Sequence, residues 1–361
     1  MATGLVWHER MMWHETPPAA GVIPARGIVQ PDVHAENAET KRRMKNMLDG
    51  YGITPLLEAL EPHAVEDDVL LRFHTSAHLT RVRALSDGMG GDSGDFAPVG
   101  PGSDAIARLA VGSTIAAVYA VLSGRVRNAY ALVRPPGHHA ERDRGRGFCV
   151  FGNVAVAILD ALARRQVERV AVVDWDVHHG NGTEQAFYEN PDVLTISMHQ
   201  DKLYPVDTGA FEDRGAGAGR GCNINVPLPP GSGGGAYYAA MERIVLPAVR
   251  AHRPDLIVVC CGFDAATFDP LGNMMLLSNH YRVMTEWLMA VADDLCGGRL
   301  VMSHEGGYSA SYVPFCGAAV MEGLLGVDSM VRDAYAQDEL TNWQALQPHQ
   351  EKRIDEMVEA L

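Results

Sequence analysis

Residues 169–182 read Arg169-Val170-Ala171-Val172-Val173-Asp174-Trp175-Asp176-Val177-His178-His179-Gly180-Asn181-Gly182, and the stretch changes character at its middle. The first half, 169–175, is an almost unbroken apolar run. That is the pattern of a strand buried on both faces of a parallel sheet, not of one that is half solvated. The second half is polar and rich in glycine. In an extended segment, side chains at i, i+2 and i+4 share one face. Asp174, Asp176 and His178 are therefore expected to point the same way. Two carboxylates and an imidazole at the tip of a buried strand are costly unless partnered, and a metal ion is a natural partner. A surface Asp/His loop is the bland alternative, and the apolar strand leading in argues against it.

The same grammar recurs at four other places. Apolar runs at 128–133, 193–198, 255–261 and 299–303 each give way at once to unusual polar residues. The first leads to Arg134-Pro135-Pro136-Gly137-His138-His139 and the second to His199-Gln200-Asp201. The third leads to Gly262-Phe263-Asp264 and the fourth to His304-Glu305-Gly306-Gly307-Tyr308. Sites in open parallel sheets form outside the carboxyl ends of strands, so the five clusters can converge. Asp264 can then join Asp176 and His178 as a third ligand, leaving a position open for water, which is the pattern of a catalytic zinc site. The His138-His139 pair, held on a proline-stiffened turn, can move protons beside such a metal. Gly306-Gly307 lets the backbone bring Tyr308 close, where a neutral phenol can donate to a developing oxyanion.

Ala-rich segments between the runs predict helices over 104–124, 153–166, 236–252, 280–296 and 313–326, with Asp104 as N-cap and Gly124 as stop of the first. The alternation implies a layered α/β domain. Residues 202–235, rich in Gly and Pro, read as long loops, and Lys41-Arg42-Arg43 reads as a solvated helix face. With 361 residues, 47% of them hydrophobic, and no linker-like run, the chain is expected to form one domain.

The net charge of −15 argues against nucleic acid, which needs a basic face, and is compatible with a cationic substrate. Six cysteines without a Cys-x-x-Cys pair suit a reducing compartment. No signal-peptide core is expected in residues 1–15, and no stretch is expected to span a membrane. Together these predict a cytoplasmic protein.

In combination the motifs resemble the zinc-dependent histone deacetylase superfamily. RPPGHHA, GFCVFGNVA, VVDWDVHHGNGTEQAFY, GFDAATFDPLG and HEGGYS match in the family's order, and the likeness runs from Glu39 to Val327. It implies an arginase/deacetylase-like three-layer αβα fold with a central, mostly parallel eight-stranded sheet. It implies one zinc per chain on Asp176, His178 and Asp264, His138 and His139 as the acid/base pair, and Tyr308 as oxyanion donor. Asp174 would orient His138 and, with Ser197 and Met198, hold a structural potassium ion. A second potassium would lie near Phe187, Asn190 and Val193.

Asn181, behind His139, resembles class II enzymes and bacterial histone deacetylase-like amidohydrolases. A neutral partner there leaves His139 less basic than a carboxylate would. Phe148, beside Gly147, matches one wall of the substrate channel, with Tyr204 the nearest match for the other. Leu271 stands where some polyamine deacetylases carry glutamate, which favours acyl-lysine over acetylpolyamine. Residues 1–38 are expected to form loops near the mouth, and 328–361 a helical extension. Relatives of the bacterial type imply a homodimer or homotetramer.

Three other readings compete. One is a small-amide or acetylpolyamine hydrolase. A second is a two-metal ureohydrolase, which Ala265 and Ala266 disfavour by supplying no further carboxylate. The third is an inactive acyl-lysine binding protein, disfavoured because every expected catalytic residue is present.

Overall fold

A computed structural model describes residues 2–25, 27–328, 330–336 and 344–361. Eight strands form the central sheet. They are β1 (Thr3–Val6), β2 (Leu57–Leu60), β3 (Asn128–Ala131), β4 (Val170–Asp174), β5 (Val193–Gln200), β6 (Asn223–Leu228), β7 (Leu256–Cys261) and β8 (Leu300–His304). Their order is β6-β5-β4-β7-β8-β3-β1-β2, and every neighbouring pair is parallel.

Alternate residues of the buried strands feed two cores. Ala171, Val173, Ile257 and Val259 face helices α1 (Glu39–Gly50), α4 (Ser278–Cys296) and α5 (Val313–Leu325). Val170, Val172, Val258 and Val301 face α2 (Ser103–Leu122) and α3 (Asn153–Ala163) on the other side. Each valine or isoleucine among them contributes about 1.5–3 kcal/mol by leaving water. Both faces are covered, so the strands read as continuous apolar runs. This is the arginase/deacetylase-like three-layer arrangement, with a central sheet that is parallel throughout.

The order of strand addition reverses between β4 and β7. From β4 the chain moves outward through β5 to β6, and from β7 it moves the other way to β8. Connections diverging from such a switch point leave a crevice at the carboxyl ends of its two strands. Asp174 and Cys261 end those strands, so the polar clusters that follow them meet there.

Several sequence expectations need correction. Residues 1–38 are not only loops, because β1 lies within the sheet between β3 and β2. Residues 202–235 contain β6, whose Pro227 is tolerated because β6 is an edge strand. Helix α2 begins at Ser103 with Gly102 as its cap, and Asp104 instead pairs with Arg108 one turn on. By length and apolarity α2 could also cross a membrane, contrary to the expectation of no such stretch. Its apolar residues are mostly buried against the sheet and α3.

Lys41 is not solvated either. It is 1% exposed and ion-pairs with Glu36, which also binds Arg134. Of the 328–361 extension, residues 329 and 337–343 lie outside the described residues, and Pro348–Ala360 is helical.

Buried histidines make the fold acid-sensitive. His74 donates from Nδ1 to the Glu141 carbonyl at 3.0 Å and accepts at Nε2 from the Gly152 N–H at 2.9 Å, which only a neutral ring can do. Burial, aided by the neighbouring His78, lowers its pKa to about 3. The unfolded chain therefore binds this proton first, near pH 6.5. The contribution of His74 is complete above that pH and is lost progressively as pH falls toward 3. The thermal midpoint should drop between pH 6.5 and 4, and less steeply in His74→Gln. Equal slopes in the two proteins would contradict this.

Candidate active site

The crevice gathers side chains from both sides of the switch point. His178 Nδ1 lies 3.0 Å from Asp176 Oδ1 and 3.1 Å from Asp264 Oδ2. All three residues are buried, and one ligand atom from each lies within 4.8 Å of the others. Backbone donors hold the carboxylates. Val177 N–H donates to Asp264 Oδ1 at 2.8 Å, and Gly306 N–H donates to Asp176 Oδ2 at 2.8 Å. Glycine is required at 306, because a Cβ there would run into the carboxylates of Asp264 and Asp176.

The electrostatics are those of a cation site. Burial, reinforced by the charge of Asp176, pushes the Asp264 carboxyl up to about 6. Burial opposes ionisation of Asp176 as well, yet His138 and His178 hold it below the usual carboxylate range. The His178 ring rises to about 10 against its own burial, through the two carboxylates. Two carboxylates and an imidazole this close and this deeply buried are partnered better by a metal ion than by one another. Two oxygens and one nitrogen, with room left beside them, suit a tetrahedral ion such as zinc.

His138 and His139 pack with ring centroids 4.0 Å apart and their planes tilted by 41°. His138 Nδ1 is 2.9 Å from Asp174 Oδ2, and His139 Nδ1 is 2.7 Å from Asn181 Oδ1. The two rings are driven apart in basicity. Although burial opposes it, Asp176 and Asp174 raise His138 well above the ordinary range. Burial, and then the charge on His138, drive His139 well below it. The turn carrying the pair is pinned by Glu305, which accepts from the N–H groups of Gly137 at 2.7 Å and His138 at 3.0 Å.

Tyr308 stands beside this group with its ring 5.7 Å from that of Phe148. Burial, with Asp264 and Asp176 nearby, keeps the phenol protonated by raising its pKa well above normal. Its backbone N–H donates to Asp269 Oδ2 at 2.6 Å. A cleft of about 220 Å³ leads to His139, His178 and Tyr308 between Phe148, Gly147, Tyr204 and Leu271, with Val22, Phe96 and Leu203 completing the walls. The expected channel residues are thus brought together, and the N-terminal segment contributes Val22 to the lining. Phe148 holds a left-handed φ of 69°, uncommon for a bulky residue, and its N–H donates to the Phe96 carbonyl at 2.7 Å.

The residues expected around potassium lie close by. Asp174 and Ser197 are register partners across β4 and β5, and buried Met198 follows. In the outer group, Asn190 N–H donates to the Phe187 carbonyl at 2.9 Å, and Val193 opens β5.

Sequence reasoning missed Asp269 and Glu305 as backbone acceptors and Phe96 as a wall residue. Glu305 carried a signal, being an acid directly after a buried strand. Phe96 carried none.

Comparison with known proteins places these features in context. A sequence model described as the histone deacetylase domain matches residues 34–324. The chain is 51% identical over 334 residues to a histone deacetylase-like amidohydrolase of Pseudomonas aeruginosa, covering 92% of this chain and 88% of that one. It is 35% identical over 331 residues to histone deacetylase 8 of Arabidopsis thaliana, covering 89% and 87%. The crystal structure of the HDA15 HD domain superposes with a TM-score of 0.87 at 32% identity, covering 99% of this chain and 93% of that one.

Proposed function

Because the chain belongs to the histone deacetylase family, we propose that it is a zinc-dependent amidohydrolase that removes acetyl-type groups from acyl-lysine or a similar amide. One observation carries the proposal. His178 of the Asp176-His178-Asp264 donor group, His139 of the adjoining His138-His139 pair and Tyr308 all line one narrow apolar cleft.

Asp176, His178 and Asp264 would hold the zinc, which when bound would polarise the substrate carbonyl and lower the pKa of a water. The chain's own residues supply the rest. His139 is neutral and takes the water proton as attack proceeds. The Tyr308 hydroxyl donates to the oxyanion forming at the carbonyl carbon. His138, kept charged beside Asp174, assists His139 in returning a proton to the leaving amine. Phe148, Tyr204 and Leu271 exclude water and accept the methylene stem of a lysine, whose polar amide then lies at the floor. Potassium bound by Asp174, Ser197 and Met198 would stiffen the strand ends that carry these groups.

Leu271 offers no charge to a distant ammonium, which favours acyl-lysine over acetylpolyamine. The three-residue donor group fits a single ion, unlike a two-metal ureohydrolase.

The test is metal content together with a turnover panel. The purified protein should hold one zinc per chain. It should hydrolyse acetyl-lysine and trifluoroacetyl-lysine peptides faster than acetylated polyamines or simple anilides, and lose all turnover with a chelator. Two metals per chain, or tight binding of acetyl-lysine peptide without turnover, would refute the proposal. A preference for acetylpolyamines or anilides would replace only its substrate.

A further inference from the structure

Behind Asn181 lies a buried network that the reaction above does not use. The Asn181 amide nitrogen donates to Glu141 Oε1 at 2.8 Å and to the His139 carbonyl at 3.2 Å. Glu141 is itself fixed. Its Oε1 accepts from Arg146 Nη1 at 2.8 Å and its Oε2 from Arg144 Nε at 2.7 Å. Arg146 is anchored in turn by Asp95 at 3.2 Å, its register partner in a short two-residue strand pairing, and by Asp207 at 2.8 Å on a separate turn. Glu141 and Arg146 are 8% and 7% exposed.

A side-chain amide can present either its oxygen or its nitrogen to a neighbour, and the network decides which. Here one side of Asn181 faces a carboxylate and a carbonyl, both pure acceptors. Only the NH₂ end is tolerated there. Turning the amide over would set Oδ1 against the Glu141 carboxylate. The oxygen is therefore forced toward His139 Nδ1, 2.7 Å away. An amide oxygen can only accept, so Nδ1 must carry the hydrogen. In a neutral imidazole the lone pair is then on Nε2.

We infer that Glu141 is a positioning residue, which by orienting the Asn181 amide fixes His139 in the tautomer whose Nε2 can accept a proton. The inference rests on His139 being the proton acceptor of the proposed hydrolysis. It accounts for a neutral residue behind the histidine: asparagine can present opposite ends to two neighbours, whereas aspartate would face Glu141 with a second carboxylate.

The test is a mutant cycle with a spectroscopic companion. Glu141→Gln should lose little, because its amide oxygen can still accept from Asn181. Asn181→Asp should lower kcat about tenfold or more with KM nearly unchanged, the range expected when contacting groups conflict. Adding Glu141→Gln to Asn181→Asp should restore kcat about tenfold, since it removes one of the two facing carboxylates. A merely structural Glu141 predicts additive losses instead.

Independently of turnover, the ¹⁵N signals of His139 should show Nδ1–H in the wild type, with Nε2–H appearing in Glu141→Leu. The histidine spectrum also reports whether that variant is folded, and where it is not, the Glu141→Ala spectrum is read by the same criterion. An additive cycle or an unmoved tautomer in a folded variant overturns the inference, even in an active enzyme. In an inert wild type the tautomer alone decides, because the hydrolase reading would have failed separately.

Discussion

Asp264→Asn is expected to reduce zinc from one per chain to near zero and to cut turnover by about 10³ or more. The substitution is nearly isosteric. Its carbonyl oxygen can still accept from Val177 N–H, as Asp264 Oδ1 does at 2.8 Å, so the loop after β7 keeps its shape. What disappears is one of the two negative charges that face His178 Nδ1. A metal ion in such a site stabilises transition-state charge by several kcal/mol, and about 1.4 kcal/mol corresponds to each decade in rate. Zinc content by mass spectrometry, circular dichroism and kcat on an acetyl-lysine peptide would be measured together. A folded variant that holds stoichiometric zinc and turns over normally would remove Asp264 from the metal site. Unfolding is not the expected route to inactivity, since the backbone bond survives.

Much of this site is visible in the sequence, because buried parallel strands mark their own ends. Where 169–175 turns polar at Asp176, the change of pattern marks the edge of the sheet, and catalytic groups in such folds stand at that edge. Asp176, His178, Asp264, His138, His139 and Tyr308 are all found this way, and the structure brings all six to one crevice. What was illegible depends on contacts between distant segments. Lys41 sits in a basic run that looks solvated, and only a carboxylate contributed by Glu36 and shared with Arg134 explains its burial. Strand β1 is four residues long, too short for a periodic signal, and it is a strand because β3 and β2 flank it. Asp104 satisfied the rule for a helix cap but found Arg108 a better partner, leaving Gly102 to start the helix. Glu141 follows the same logic. Its chemistry is ordinary for a surface acid until Asn181 and Arg146 are seen on either side of it.

The remaining large effect concerns Tyr308. Tyr308→Phe removes one oxygen and should lower kcat about 10²–10³-fold, the loss typical of a single oxyanion donor. Zinc should stay bound, because Tyr308 is outside the Asp176-His178-Asp264 group. The backbone should stay in place too, since the Tyr308 and Ser309 N–H groups both donate to Asp269 Oδ2, at 2.6 and 3.3 Å, and neither bond involves the phenol. The ring's edge contact with Phe148 is equally available to phenylalanine, so the apolar wall and KM should change little. The phenol is held protonated by burial and by Asp264 and Asp176, so it can donate throughout the neutral range. A hydrogen bond made only as charge develops lowers kcat and kcat/KM together when removed. A fall in kcat/KM produced by KM alone would mean that Tyr308 binds substrate rather than the transition state. Near-normal kcat would exclude it from the chemistry, and loss of zinc would show that it supports the metal site instead.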